Sequence, residues 1–468
     1  MNMDEVNEQF SRILDINCGS SVSSIVLTEQ YAFVGLIGEE SNVNVYSYRD
    51  IECSGDRSPA PRYILENKHG GISKLVLSPC GSLLMGLTCY GWIYIWNIGA
   101  LAGGAGEATG MDLEDATNVA PSGSSVALEV VMVKPEIFFM NGHPGDSICV
   151  EFINSNLIVA AGINPGGSIT FVSVKTGRRV GQYISRKNEI SGLAWPMYYK
   201  LDEKEIKEQN FELAVFSFTN IAIDRSSSSG GCWIALGGSN GLISLIYLPH
   251  ATISKIERFD ESSSIDDEDM NLSATDFLWK CHQISEFSTE IKSLMWRPRP
   301  NNSAGLCLVC GTNDSLLRYC FIETENKSIL VKKVNLVKIT DGTSTCSEIN
   351  SISFPMSGPN NSSIVAVGFN KFSSAKVHPI FVTSENLSKK SQSFSSFKVY
   401  VQDVAHPGGN SSVGAASIQT HFYCIGSHTD IITCVYISPC SGYIASSSID
   451  GHLHIYKKKE SDSSWAIT

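Results

Sequence analysis

Three short stretches and two histidines carry residue types that could do chemistry. Residues 237–241 read GGSNG, the Gly-x-Ser-x-Gly of a nucleophile elbow, with Ser239 as nucleophile. Such a serine works at a strand-to-helix turn with His and Asp or Glu partners behind it. Here an apolar strand-like run follows, and Ser239 with Asn240 reads as a strand-to-strand turn. Cys307 and Cys310 make a Cys-x-x-Cys inside the apolar run LCLVCGTN. On a strand a separation of three puts them on opposite faces, and no second close pair completes a tetrahedral zinc set. Both read as core thiols. Arg178 and Arg179 of TGRRVG offer anion capture, but Gly177 and its polar neighbours are turn chemistry. His143 and His428 remain as imidazoles for acid–base or metal work. Walker A, dinucleotide and His-Glu-x-x-His motifs do not occur. The expectation is a protein with no catalytic residues, no metal and no cofactor.

Bulk composition narrows the class. Of 468 residues, 43% are hydrophobic and 18% charged, which fits a folded chain with a modestly charged surface. The net charge of -12 has the wrong sign for coating phosphate backbones, so nucleic acid is not expected as the main ligand. The fourteen cysteines are scattered, and the start MNMDEVNEQFSRIL has no apolar signal core, so they read as reduced thiols. No run of about 18 apolar residues offers a membrane span. A soluble cytoplasmic or nuclear protein without membrane insertion is expected.

What must position any functional residue is a repeated unit. SPCGSLLMGLTCYGWIYIW (residues 78–96) and SPCSGYIASSSIDGHLHIY (residues 438–456) are near-copies 360 residues apart. Apolar residues at i, i+3 and i+5 begin each unit: Val22/Ile25/Leu27, Ile72/Leu75/Leu77, Ser147/Val150/Phe152, Ile190/Leu193/Trp195, Ile291/Leu294/Trp296, Ile349/Ile352/Phe354 and Ile432/Val435/Ile437. A second, a third and a fourth strand-length run follow, with Gly, Asn or Asp between the second and third. Four short antiparallel strands repeated seven times predict an all-β, seven-bladed β-propeller. The last unit lacks a fourth run while FSRILDI (residues 10–16) stands alone before the first, so the N-terminal strand is expected to close the ring, with SWAIT near the C-terminus as its rival. The reading is a single propeller over residues 10–458 between short tails, 1–9 and 459–468.

The units resemble WD40 repeats. GHPGDSICVEF (residues 142–152) matches that family's opening Gly-His, and residues 427–456 resemble a nearly complete repeat. The resemblance implies a hydrogen-bonded tetrad of His, Ser or Thr, Asp and Trp within a blade. It assigns His428, a serine of 446–448 with Ser446 first, Asp450, and Tyr456 in place of Trp. In the third blade it assigns His143, with Asn164 for Asp. In the second blade Trp96 is kept, but Tyr90 stands in the Asp position and His69 is one residue out of register. Only blades two, three and seven carry the motif with any strength.

Four insertions interrupt the repeats, near residues 99–126, 199–230, 251–275 and 383–420. The third contains DESSSIDDED, an acidic run read as a solvated loop whose removal from 257 to 269 leaves the fold intact. In the fourth, SFKVYVQDV reads as a third strand and VHPIFVTS as an extra hairpin. Tyr90 and Trp92 are the leading candidates for partner binding, two large aromatics at a second-to-third strand turn. Arg186 and Lys187 occupy a loop position in the fourth blade. The functional expectation is a protein–protein interaction scaffold, a monomeric propeller within a hetero-complex. The alternatives are a substrate-recognition or RNA–protein assembly subunit with a local nucleic-acid contact and, below it, a propeller-fold enzyme.

Overall fold

The computed structural model describes residues 10–38, 42–53, 59–102, 131–140, 147–162, 168–184, 218–225, 231–238, 241–261, 282–284, 290–297, 306–313, 316–325, 328–338, 347–355, 364–371, 396–403 and 422–458. Their strands form seven small sheets. Sheet one holds β2 (Val22–Leu27), β3 (Tyr31–Leu36), β4 (Val43–Ser47) and β5 (Tyr63–Leu65), and sheet two β6 (Ile72–Leu77), β7 (Leu83–Thr88), β8 (Trp92–Asn97) and β10 (Ile137–Met140). Sheet three is β11 (Ser147–Phe152), β12 (Leu157–Gly162), β13 (Ser168–Ser173) and β14 (Arg179–Ile184). Sheet four is β15 (Phe218–Asp224), β16 (Cys232–Gly238), β17 (Ile243–Leu248) and β18 (His282–Ile284). Sheet five is β19 (Ile291–Trp296), β20 (Leu306–Thr312), β21 (Leu316–Glu325) and β22 (Ser328–Lys338), and sheet six β23 (Ser347–Ser353), β24 (Ile364–Lys371), β25 (Ser396–Asp403) and β26 (Phe422–His428). In sheet seven β27 (Ile432–Ile437), β28 (Tyr443–Ser448) and β29 (His452–Lys458) are joined by β1 (Phe10–Asn17), antiparallel to β29 with Phe10 opposite Lys458.

The i, i+3, i+5 spacing has a physical cause. Residues three apart on a regular strand face opposite ways. In the first strand of every sheet, however, the register slips after the residue that opens the triple, between Val22 and Ser24, Ile72 and Lys74, Ile291 and Ser293, and at the matching places in the others. The bulge adds one residue and turns the first side chain to the face of the other two. In sheets one, two, five, six and seven all three members of the triple lie in one buried cluster.

Seven such clusters fill the spaces between consecutive sheets. They lie between sheets one and two, two and three, three and four, four and five, five and six, six and seven, and between seven and one. At four of these spaces close approach depends on a glycine in the second strand. A Cβ on Gly35, Gly237, Gly311 or Gly368 would come within 2.6–2.9 Å of the isoleucine that opens the next sheet, Ile72, Ile291, Ile349 or Ile432.

Four expectations are corrected. The first strand of sheet four is β15, not residues 190–195, which lie outside the described residues together with the rest of 185–217. β15 carries the repeat's spacing at Phe218, Ile221 and Ile223, so part of the supposed 199–230 insertion is core strand. Sheet one has five strands, because β9 (Val131–Val133), which follows the first insertion, adds to the outer edge of β5 in parallel. The third insertion opens as a helix, not a loop: Ile253 and Ile256 of His250–Glu261 are buried against sheets three and four. Glu257 of that helix also accepts a 2.9 Å hydrogen bond from Asn154, so a deletion starting at 257 removes a docked residue. SFKVYVQDV supplies β25, the third strand of sheet six. VHPIFVTS, SWAIT and most of the acidic run lie outside the described residues.

Candidate partner-binding face

Asp450 sits in the tight turn from β28 to β29, closed by Gly451 N–H donating to Ser448 O at 3.2 Å. Gly451 takes φ +82, a conformation only glycine adopts without strain. The half-buried carboxylate is satisfied on both oxygens. Oδ1 accepts from His452 N–H at 2.9 Å, and Oδ2 accepts from Thr429 N–H at 2.9 Å and Thr429 Oγ1 at 3.1 Å. His428 Nδ1 lies 3.3 Å from the same Oδ2, and its Nε2 lies 2.8 Å from buried Ser446 Oγ. Burial raises the Asp450 carboxyl, but the His452 and Thr429 amides and His428 outweigh it and hold it below the ordinary value. Burial pushes His428 down while Asp450 pulls it up, and burial wins. The network ties the end of sheet six to a turn of sheet seven and joins buried Tyr456 through Ser446. It also includes Thr429 and His454, whose ring stacks on His428 at 4.0 Å; neither was singled out from sequence, although Thr directly follows His428 and His454 alternates with Tyr456.

Sheet two repeats this turn with different chemistry. Gly91 N–H donates to Thr88 O at 3.0 Å and Gly91 takes φ +81, so Tyr90 occupies the place of Asp450. Gly86 stands where sheet seven has Ser446, and the ring of Trp96 packs on it. Among the described residues the buried Trp96 indole N–H has no hydrogen-bond partner. Aromatic stacking replaces the polar network: His69 lies on Trp92 at 3.9 Å and contacts the Tyr94 hydroxyl, while Tyr94 stacks on Trp96 at 5.7 Å. Trp92 is therefore half-buried by its partner His69. Tyr90 lies over Gly70, where a Cβ would stand 2.5 Å from its ring, and stays 52% exposed.

Two aliphatic side chains missed in the sequence extend this surface. Ile37, after β3, and Ile449, in the β28–β29 turn, are 39% and 40% exposed. Backbone contacts set the three side by side. Ser21 Oγ donates to Ile449 O at 2.8 Å, Ile37 N–H to Ser21 O at 2.8 Å, and Gly71 packs on Ile37 while its carbonyl accepts from Cys89 N–H at 2.9 Å. The turns after the second strands of sheets seven, one and two thus share one rim. His143, Arg186 and Lys187 lie outside the described residues, as do Ser239, Asn240 and Asn164.

Cys307 and Cys310 are free thiols directed into different clusters, and burial raises both, Cys307 to about 12. Residues 173–179 form the β13–β14 turn, with Gly177 N–H donating to Ser173 O at 3.0 Å. Among the described residues no helix is long and apolar enough to cross a membrane. No family model and no curated protein matches the chain.

Proposed function

We propose that the chain is a seven-bladed β-propeller of the WD40 kind and works as a non-enzymatic protein–protein interaction scaffold, a subunit of a multiprotein complex. The observation that carries the architecture is the order of the buried clusters: each lies between two consecutive sheets, and one lies between the seventh and the first. Sheets that pack in such an order make a disc whose rim turns are held at fixed positions. The strand contributed by Phe10–Asn17 supports closure through the N-terminal segment.

The partner class follows from what one rim exposes. Tyr90, Ile37 and Ile449 form neighbouring apolar positions on backbone-anchored turns. Exposed apolar residues that cluster rather than scatter are interface material, and a tyrosine on a rigid turn is a preferred anchor. The net charge of -12 favours proteins over nucleic acid as that partner.

Affinity capture of the intact chain from its own cells tests this, run beside Tyr90→Ala at matched folded amounts. A stoichiometric set of co-purifying proteins, depleted several-fold by Tyr90→Ala, is the expected result. A chain that purifies alone, or a set indifferent to Tyr90, overturns the reading.

A further inference from the structure

The ladder between β1 and β29 holds a cluster that partner binding does not use. His452 and His454 are two apart on β29, so their imidazoles leave the same face of the strand. Asp15 of β1 stands directly opposite His454. Its Oδ1 lies 2.7 Å from His452 Nδ1 and 3.5 Å from His454 Nε2, and one donor atom from each residue lies within 4.8 Å of the others. Arg12 holds the opposite oxygen, Oδ2, which leaves Oδ1 toward the rings. His454 is buried, stacked on His428, and its remaining nitrogen Nδ1 lies 3.5 Å from the Tyr456 hydroxyl.

We propose that Asp15, His452 and His454 bind one divalent transition-metal ion of the zinc class, which clasps β1 onto β29. Two imidazoles and a carboxylate are a donor set that suits such ions. With metal–ligand bonds of about 2.0–2.2 Å, tetrahedral donor atoms stand roughly 3.3–3.5 Å apart. The Asp15–His454 distance already meets this, and the Asp15–His452 pair widens by less than about 1 Å when the ion replaces their shared proton. Side-chain rotation supplies that, because His452 and Asp15 are 36% and 37% exposed. The outer nitrogen of His454 has the Tyr456 hydroxyl as the kind of second partner that orients a ligating imidazole. The sequence signal was the His-x-His of HLHIY, which points to a site only once Asp15 is known to pair beside it.

The test is titration of the intact, metal-stripped chain with cobalt(II) and zinc(II). One equivalent is expected to bind, with the intense visible absorption of four-coordinate cobalt and no thiolate charge-transfer band. Zinc is expected to raise the melting temperature and slow proteolytic removal of β1. Asp15→Asn and His452→Ala, both at half-exposed positions, are each expected to weaken zinc binding more than about tenfold, since even an outer-shell partner is worth that much. Their metal-free melting should stay near wild type; if Asp15→Asn fails to fold, His452→Ala decides alone. Absence of one-equivalent binding, a thiolate band, or zinc affinity unchanged in His452→Ala overturns the proposal and leaves Asp15 a plain ion-pair partner.

Discussion

Asp450 and Tyr90 occupy the same place in two copies of one turn, yet one side chain is held in a polar network and the other is 52% exposed. Asp450 accepts from two backbone amides and a hydroxyl and sits against His428. Asp450→Ala strands those donors and is expected to cost about 1–3 kcal/mol in chemical denaturation. Tyr90→Ala removes a half-exposed ring and should change stability by less than about 1 kcal/mol. Equal losses in the two variants would put Tyr90 in the structural class. Cys80 separates itself on other grounds. Slight burial pushes its thiol up, but hydrogen bonds from Ser155, Ser78 and Ser82, at 3.3, 3.2 and 2.8 Å, bring it down to about 6. A thiolate is the reactive form, so alkylation of this exposed cysteine should rise through a midpoint near pH 6 and level off above it. Ser82→Ala should move the midpoint upward; a wild-type midpoint at the ordinary thiol value of about 8.5 would refute the assignment. At this scale the sequence makes Asp450, His428 and Tyr90 visible through their place in a repeat. It hides Cys80, because Ser155 arrives from another sheet, and it hides Ile37 and Ile449, whose exposure depends on how turns of separate sheets meet.

The repeating element is a bulged first strand, which at four junctions faces a glycine-bearing strand of the preceding sheet. Gly368→Ala puts a Cβ 2.9 Å from Ile432 Cγ2 and 3.4 Å from Val435 Cγ1, an overpacking expected to cost about 1–3 kcal/mol. Ile432→Ala opens the space, so the double variant should lose less than the two singles added together; simple additivity in that cycle would show the contact is not the cause. The apolar triples were legible because the bulge is written into their spacing. Sheet four was misread because Ile190, Leu193 and Trp195 mimic the triple, while Phe218, Ile221 and Ile223 carry it beside a polar stretch. The helix of His250–Glu261 was overlooked for a similar reason, since the acidic run after it masks two buried isoleucines. β9 was beyond reach, as three residues carry too little pattern to mark a parallel edge strand.

Across the whole molecule, β1 meets β29, and Leu14 and Ile16 are buried in the cluster between sheets seven and one. Removing residues 10–17 forfeits that burial, worth about 1.5–3 kcal/mol per aliphatic side chain, and bares the outer edge of β29. A loss of at least about 3 kcal/mol, read by denaturation, is expected; an unchanged midpoint would mean sheet seven needs no fourth strand. The same pairing also sets an order in time. Phe10 and its partner Lys458 lie 448 residues apart, so at about 5–20 residues per second β1 waits roughly 20–90 s for β29 to be made. During that interval Leu14 and Ile16 lack the cover of Ala445, Leu453 and Ile455, and any chain truncated before β29 never receives the cover of Leu453 and Ile455. Nascent chains of this protein are therefore expected to expose β1 as an unpaired, partly apolar strand to chaperones until β29 is made.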